Sequence, residues 1–249
     1  MRQQTVVRLS VVLAAFGLLA LLGGDAAGQD KKEAATVKPV PRDANWMKRH
    51  DSFLAIAKKG NVEVLFLGDS ITDAWRNAGK KLFEERFLPL KAANFGVSGD
   101  RTQHVLWRLQ NGEFDGITPK VVMLMIGTNN IGQAQGAEPP ESAAAGVKAI
   151  LKEIHGKSPK TKVLLLAVFP RGEKPDDAKR KAVQAINAEI SKLDDGGKTV
   201  QFLDLGPKFL HPDGTIPKET MPDFLHLTPK GYEIWADAVK EPIAKLLKE

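Results

Sequence analysis

Residues 62–75, Val62-Glu63-Val64-Leu65-Phe66-Leu67-Gly68-Asp69-Ser70-Ile71-Thr72-Asp73-Ala74-Trp75, change character at Gly68. Up to Leu67 the run is almost wholly apolar, as a strand covered on both faces must be, and beyond Ser70 the residues suit a helix. The change recurs along the chain. Apolar runs at 92–95, 121–126, 163–169 and 200–205 alternate with helical patterns near 80–87, 101–110, 141–156, 176–193 and 229–247. A first helix starts after Asp43, a suitable N-cap, and reaches about Lys59 with Trp46, Phe53, Leu54 and Ala57 on its inner face. Continuously apolar strands separated by helices predict α/β architecture: about five parallel strands in a three-layer α/β/α sandwich.

In such sheets ligands bind beyond the carboxyl ends of the strands, near the point where the strand order reverses. The polar motifs fall there. Gly68-Asp69-Ser70 follows the first strand, Gly96 the second and Gly127-Thr128-Asn129-Asn130 the third, so three strand ends are expected to share one cleft.

Ser70, between strand and helix, presents a hydroxyl where developing negative charge is favoured. Alone it reads more readily as an ordinary Ser N-cap. Asp223-Phe224-Leu225-His226 adds a carboxylate three residues before a histidine. Turned back onto the ring, it would hold Nδ1–H and leave Nε2 free to take a hydroxyl proton. The competing reading is a capping Asp beside an unrelated surface His. Of five histidines only His226 has such a neighbour in sequence, and His50, His104, His155 and His211 read as packing or surface residues. The amides of Ser70 and Gly96 and the side chain of Asn129 could supply three donors to an oxyanion. Gly96-Val97-Ser98-Gly99 is not a Gly-x-Ser-x-Gly elbow, because its fifth position is Asp100.

Taken together, GDSIT (68–72), NFGVSGD (94–100), GTNN (127–130) and DFLH (223–226) resemble the SGNH (GDSL-type) hydrolases in order and spacing. Within that group the chain most resembles the platelet-activating-factor acetylhydrolase catalytic subunits. The likeness runs through NFGVSGDRTQHVLWRLQNGE (94–113), MLMIGTNN (123–130) and DGTIPKETMPDFLHLTPKGYEIWADAV (213–239). The resemblance implies a flavodoxin-like fold, an esterase without metal or organic cofactor, Ser70 as nucleophile, and Asp223 with His226 as its activating pair. It also implies an oxyanion hole of Ser70, Gly96 and Asn129, and an acyl pocket bounded by Ile71, Thr128 and Leu225 that admits acetyl or similarly short groups. Related catalytic subunits pair, so a homodimer is a candidate assembly. A departure at Val97-Ser98 and a different N-terminus leave the alcohol half of the substrate open, with small-molecule and acylated glycan esters both in view. Two rivals stand beside the esterase. One is a catalytically silent glycan-binding module. The other is a nucleotide binder, which would need a Gly-x-Gly-x-x-Gly or P-loop motif that the chain lacks.

Composition narrows the setting. With 43% hydrophobic and 27% charged residues the chain suits a globular domain. The net charge of +6 comes from scattered lysines without interleaved aromatics, which gives no reason to expect nucleic acid. With no cysteine, disulfides, thiolate metal sites and lipoprotein anchoring are excluded. Arg2 and Arg8, the apolar run 11–22 and small residues 24–28 read as a signal peptide over 1–28. The apolar run is shorter than the roughly 20 residues of a spanning helix, with an uncleaved N-terminal anchor as the alternative. Export to the periplasm or beyond is therefore expected, with no stable membrane span after cleavage, a linker over 29–42 and the hydrolase domain over 43–249.

Overall fold

The computed structural model describes Met1, residues 34–132 and residues 137–249. The signal-peptide segment beyond Met1 lies outside the described residues. Five strands, β1 (Val64–Gly68), β2 (Ala92–Gly96), β3 (Val121–Met125), β4 (Lys162–Leu166) and β5 (Val200–Leu203), form one parallel sheet in the order β2-β1-β3-β4-β5. The order reverses between β1 and β3, so the ends of β2, β1 and β3 are neighbours. Gly68 pairs with Gly96 on one side and Met125 on the other.

Alternation along each strand separates two cores. Leu65, Leu67, Phe95, Val122, Leu124, Val163 and Leu165 face a layer built from α1 (Ala44–Lys59), α4 (Thr102–Arg108), α6 (Pro140–Lys157) and α7 (Ala178–Ile190). Val64, Phe66, Val121, Met123, Leu164 and Leu166 face α3 (Lys80–Arg86), α8 (Pro229–Leu246) and the Trp75 side chain. Both faces are covered, which is why β1, β2 and β3 are buried at every position. Two short helices complete the top of the sheet, α2 (Ser70–Asp73) after β1 and α5 (Thr128–Gly132) after β3.

The helix starts are chemically specified. Asp43 accepts the amides of Asn45 and Trp46 at α1, Asp177 that of Lys179 at α7, and Thr228 that of Gly231 at α8. The open edge of β2 is blunted by Arg76, whose guanidinium donates to the carbonyls of Asn94 and Gly96.

Part of the expected linker belongs to the domain. Residues 34–42 are part of the compact unit. Thr36 is fully buried, its hydroxyl donating to the Ser142 carbonyl at 2.7 Å, and Val40 N–H donates to the Gln103 carbonyl at 3.3 Å. Polar composition and two prolines hid this, because the contacts run to residues 63 and 106 positions away.

Candidate active site

β1 stops where Gly68 must pass under β3 and α2: a Cβ there would lie 2.3 Å from both the Met125 carbonyl oxygen and Thr72 Oγ1. Asp69 then turns the chain and caps α2, accepting the Ile71 amide at 3.0 Å from a fully buried position. Burial raises its carboxyl to about 7; the Asp100 charge adds to this, and the Ile71 amide and Arg171 oppose it. Ser70 follows as the first residue of α2, half-buried at the cleft floor.

The partner residues come from the loop before α8. Asp223 Oδ1 accepts the amides of Leu225 (3.1 Å) and His226 (2.7 Å), a local turn that folds the carboxylate back along its own chain. Phe224 between them takes φ +57, an uncommon value for an aromatic residue, and its carbonyl accepts the Gly172 amide at 3.0 Å. The turn sets Asp223 Oδ2 2.6 Å from His226 Nδ1, and His226 Nε2 lies 3.0 Å from Ser70 Oγ. Burial works to raise the Asp223 carboxyl, but hydrogen bonds from the His226 ring and amide outweigh it and hold it below the usual range. An ionised Asp223 keeps the proton on Nδ1, so Ser70 donates its hydroxyl hydrogen to Nε2. The hydroxyl lies 156 residues from the imidazole in the chain, and with the carboxylate the three form a continuous hydrogen-bonded line.

The structure changes one of the expected oxyanion donors. The Gly96 amide is taken: it donates to Asn94 Oδ1 at 2.8 Å, while Asn94 Nδ2 is tied to the Thr72 carbonyl at 3.0 Å. A Cβ at Gly96 would lie 2.3 Å from the Asp73 amide nitrogen, so this glycine lets β2 pack against α2. Gly99, three residues on, is partly exposed at φ +80 in the turn closed by Asp100 N–H on the Val97 carbonyl (3.1 Å), and its amide meets no acceptor among the described residues. The Asn94 side chain thus engages the Gly96 amide and leaves that of Gly99 open among the described residues. Asn129 stands as expected at the end of β3, half-buried at the start of α5. One hydrogen of its Nδ2 goes to the Asp100 carbonyl at 2.9 Å, which leaves the other to donate.

Of the three pocket positions, Leu225 is half-buried beside His226, whereas Ile71 and Thr128 are each about 1% exposed. Ile71 and Thr128 therefore present almost no surface of their own to a ligand. Arg171 was not singled out from the sequence. It leaves the end of β4 and donates through Nη1 to the Thr128 carbonyl (3.0 Å) and Oγ1 (3.3 Å). The rule that placed the other motifs, chemistry at strand carboxyl ends, applied to Phe169-Pro170-Arg171 as well. Beside the Asp223 turn a cavity of about 350 Å³ is lined by Arg171, Glu173, Asp177, Lys179, Phe224 and Leu225.

Residues 66–234 match the family model of the GDSL-like lipase/acylhydrolase family. The chain belongs to this family. It is 38% identical over 213 residues to the human platelet-activating factor acetylhydrolase IB subunit alpha1, covering 86% of this chain and 89% of that one. The chicken alpha2 subunit is 40% identical over 213 residues, covering 84% and 88%. Among solved structures, a GDSL-like lipase from Bacteroides thetaiotaomicron superposes with a TM-score of 0.65 at 22% identity over 80% of this chain and 97% of that one. The acetyl xylan esterase AlAXEase gives 0.61 at 22% over 73% and 100%. The GDSL-type chain described here is thus an ester-hydrolysing enzyme with the SGNH hydrolase fold.

Proposed function

We propose that this GDSL-type enzyme is a serine esterase that removes short acyl groups, acetyl foremost, through an acyl-enzyme on Ser70. The observation that carries the reading is the hydrogen-bonded line from Ser70 Oγ through His226 to Asp223. Ser70 Oγ attacks the ester carbonyl carbon while Nε2 takes the hydroxyl proton. The resulting imidazolium gives that proton to the leaving alcohol, and water, activated by the same imidazole, releases the acid. The oxyanion is received by the Ser70 amide, the free hydrogen of Asn129 Nδ2, and the Gly99 amide in place of Gly96. The short-acyl assignment follows from the likeness to the acetylhydrolase subunits at Ile71, Thr128 and Leu225.

A carbohydrate-directed O-acetylesterase is the second reading. It is favoured by the charged lining of the cavity at Arg171, Glu173, Asp177 and Lys179, which suits a polyhydroxylated alcohol better than a lipid tail. The N-terminal pattern of Arg2, Arg8 and the apolar run 11–22 supports action outside the cytoplasm.

The experiment is a panel of p-nitrophenyl acetate, butyrate and octanoate, with acetylated xylooligosaccharide and an acetyl-phospholipid as natural-type esters. The expected kcat/KM falls at least about tenfold from acetate to octanoate, and the saccharide outruns the phospholipid. A flat or rising acyl profile refutes the short-chain assignment, and preference for the phospholipid refutes the glycan reading.

A further inference from the structure

The string 94–113 does more than carry the turn that reaches the active site. Asp100, Arg108 and Glu113 are completely buried, and His50 is 2% exposed. Arg108 Nε donates to Asp100 Oδ2 at 2.9 Å and its Nη1 to Glu113 Oε2 at 2.5 Å, while Glu113 Oε1 lies 3.0 Å from His50 Nδ1. Asp100 Oδ1 accepts Trp46 Nε1 at 2.7 Å and Arg42 Nη1 at 3.0 Å. The chain leaves α4 through Asn111-Gly112, with Gly112 at φ +104, and so turns Glu113 back against Arg108. Three charges withdrawn from water are an expensive way to join α1 to α4, since apolar side chains of the same volume would hold them as well or better.

What the cluster has and an apolar contact would lack is direction. Both carboxylate oxygens of Asp100 are held, and its carbonyl accepts Asn129 Nδ2. The next residue back is Gly99. On the far side of the same turn, Ser98 Oγ donates to Asp73 Oδ2 at 2.9 Å, which ties the turn to α2 and hence to Ser70. The buried cluster therefore ends on the one main-chain oxygen that orients Asn129. We propose that Arg108 and Glu113 are positioning residues for ester hydrolysis: they clamp Asp100 so that its carbonyl aims the Asn129 amide at the developing oxyanion. This rests on the assignment of Asn129 as an oxyanion donor. Such donors act only within a few tenths of an ångström of the right distance, so a loosened clamp lowers kcat without weakening substrate binding.

The test is a double-mutant cycle of Arg108→Lys with Asn129→Ala on the full chain. Turnover of p-nitrophenyl acetate is normalised to active sites titrated with a serine-directed phosphonate, well below every melting temperature. Lysine keeps the charge but cannot hold both carboxylates. In the wild-type background Arg108→Lys is expected to lower kcat about 10- to 100-fold at unchanged KM. In the Asn129→Ala background the same substitution is expected to cost less than about twofold, because the group it positions is gone. Equal losses in both backgrounds, or a fall in melting temperature with kcat intact, make the cluster a structural staple and overturn the proposal. Near-normal kcat for Asn129→Ala alone removes the oxyanion assignment itself, a failure distinct from the first. Glu113→Gln, which keeps the side-chain volume, enters the same cycle if Arg108→Lys does not fold.

Discussion

His226 and His50 each face a carboxylate through Nδ1, at 2.6 Å from Asp223 and 3.0 Å from Glu113, yet their surroundings are opposite. The His226–Asp223 side chains are 44% and 53% exposed, and the far nitrogen of the ring meets the Ser70 hydroxyl. The His50–Glu113 side chains are 3% and 0% exposed, sealed under Trp46 and Trp107, and the other oxygen of the carboxylate belongs to Arg108. A histidine–carboxylate pair is thus not by itself catalytic. Access and the third partner decide whether it moves a proton or locks a backbone.

Each pair can be broken in its own currency. Replacing Asp223 by Asn removes the anion that holds Nδ1–H, and kcat for p-nitrophenyl acetate is expected to fall by about 10⁴-fold. The same change is expected to alter unfolding free energy in urea by less than about 1 kcal/mol, as exposed pairs do. Replacing Arg108 by Met removes the one cation that Asp100 and Glu113 share and leaves Glu113 buried without a permanent counter-charge, which is expected to cost about 3–5 kcal/mol in the same urea experiment. A large stability loss at Asp223 or a negligible one at Arg108 would erase the contrast.

A third carboxylate sharpens the contrast. Asp69 is buried like Glu113 but sits beside Ser70, with its carboxyl raised from 3.8 to about 7. The folded state then binds a proton there that the unfolded state has already lost, so this group's contribution to stability is full below about pH 4 and disappears as pH rises toward 7. Asp69→Asn, which can still cap α2, is expected to flatten that part of the stability-versus-pH curve. An unchanged slope would mean that Asp69 is ionised throughout.

How much was legible beforehand follows from distance along the chain and from backbone geometry. Strands β1 and β3 announced themselves because burial on both faces forces an unbroken apolar run, and the strand ends then located Ser70 and Asn129. The Asp223 turn was legible because its partners are its own neighbours two and three residues on. Glu113 is 63 residues from His50, and no local pattern joins them. The choice of Gly99 over Gly96 depended on where one side chain, Asn94, points. Residues 34–42 looked like linker because their partners lie in α4, α6 and the 97–100 turn.

The most direct test of the central claim is peptide mapping by mass spectrometry after treatment with a serine-directed fluorophosphonate, read alongside turnover by Ser70→Ala. The account predicts one adduct, on Ser70, and a loss of about 10⁶-fold in kcat for the variant. An adduct on another residue, or near-normal acetyl-ester hydrolysis by Ser70→Ala, would contradict it.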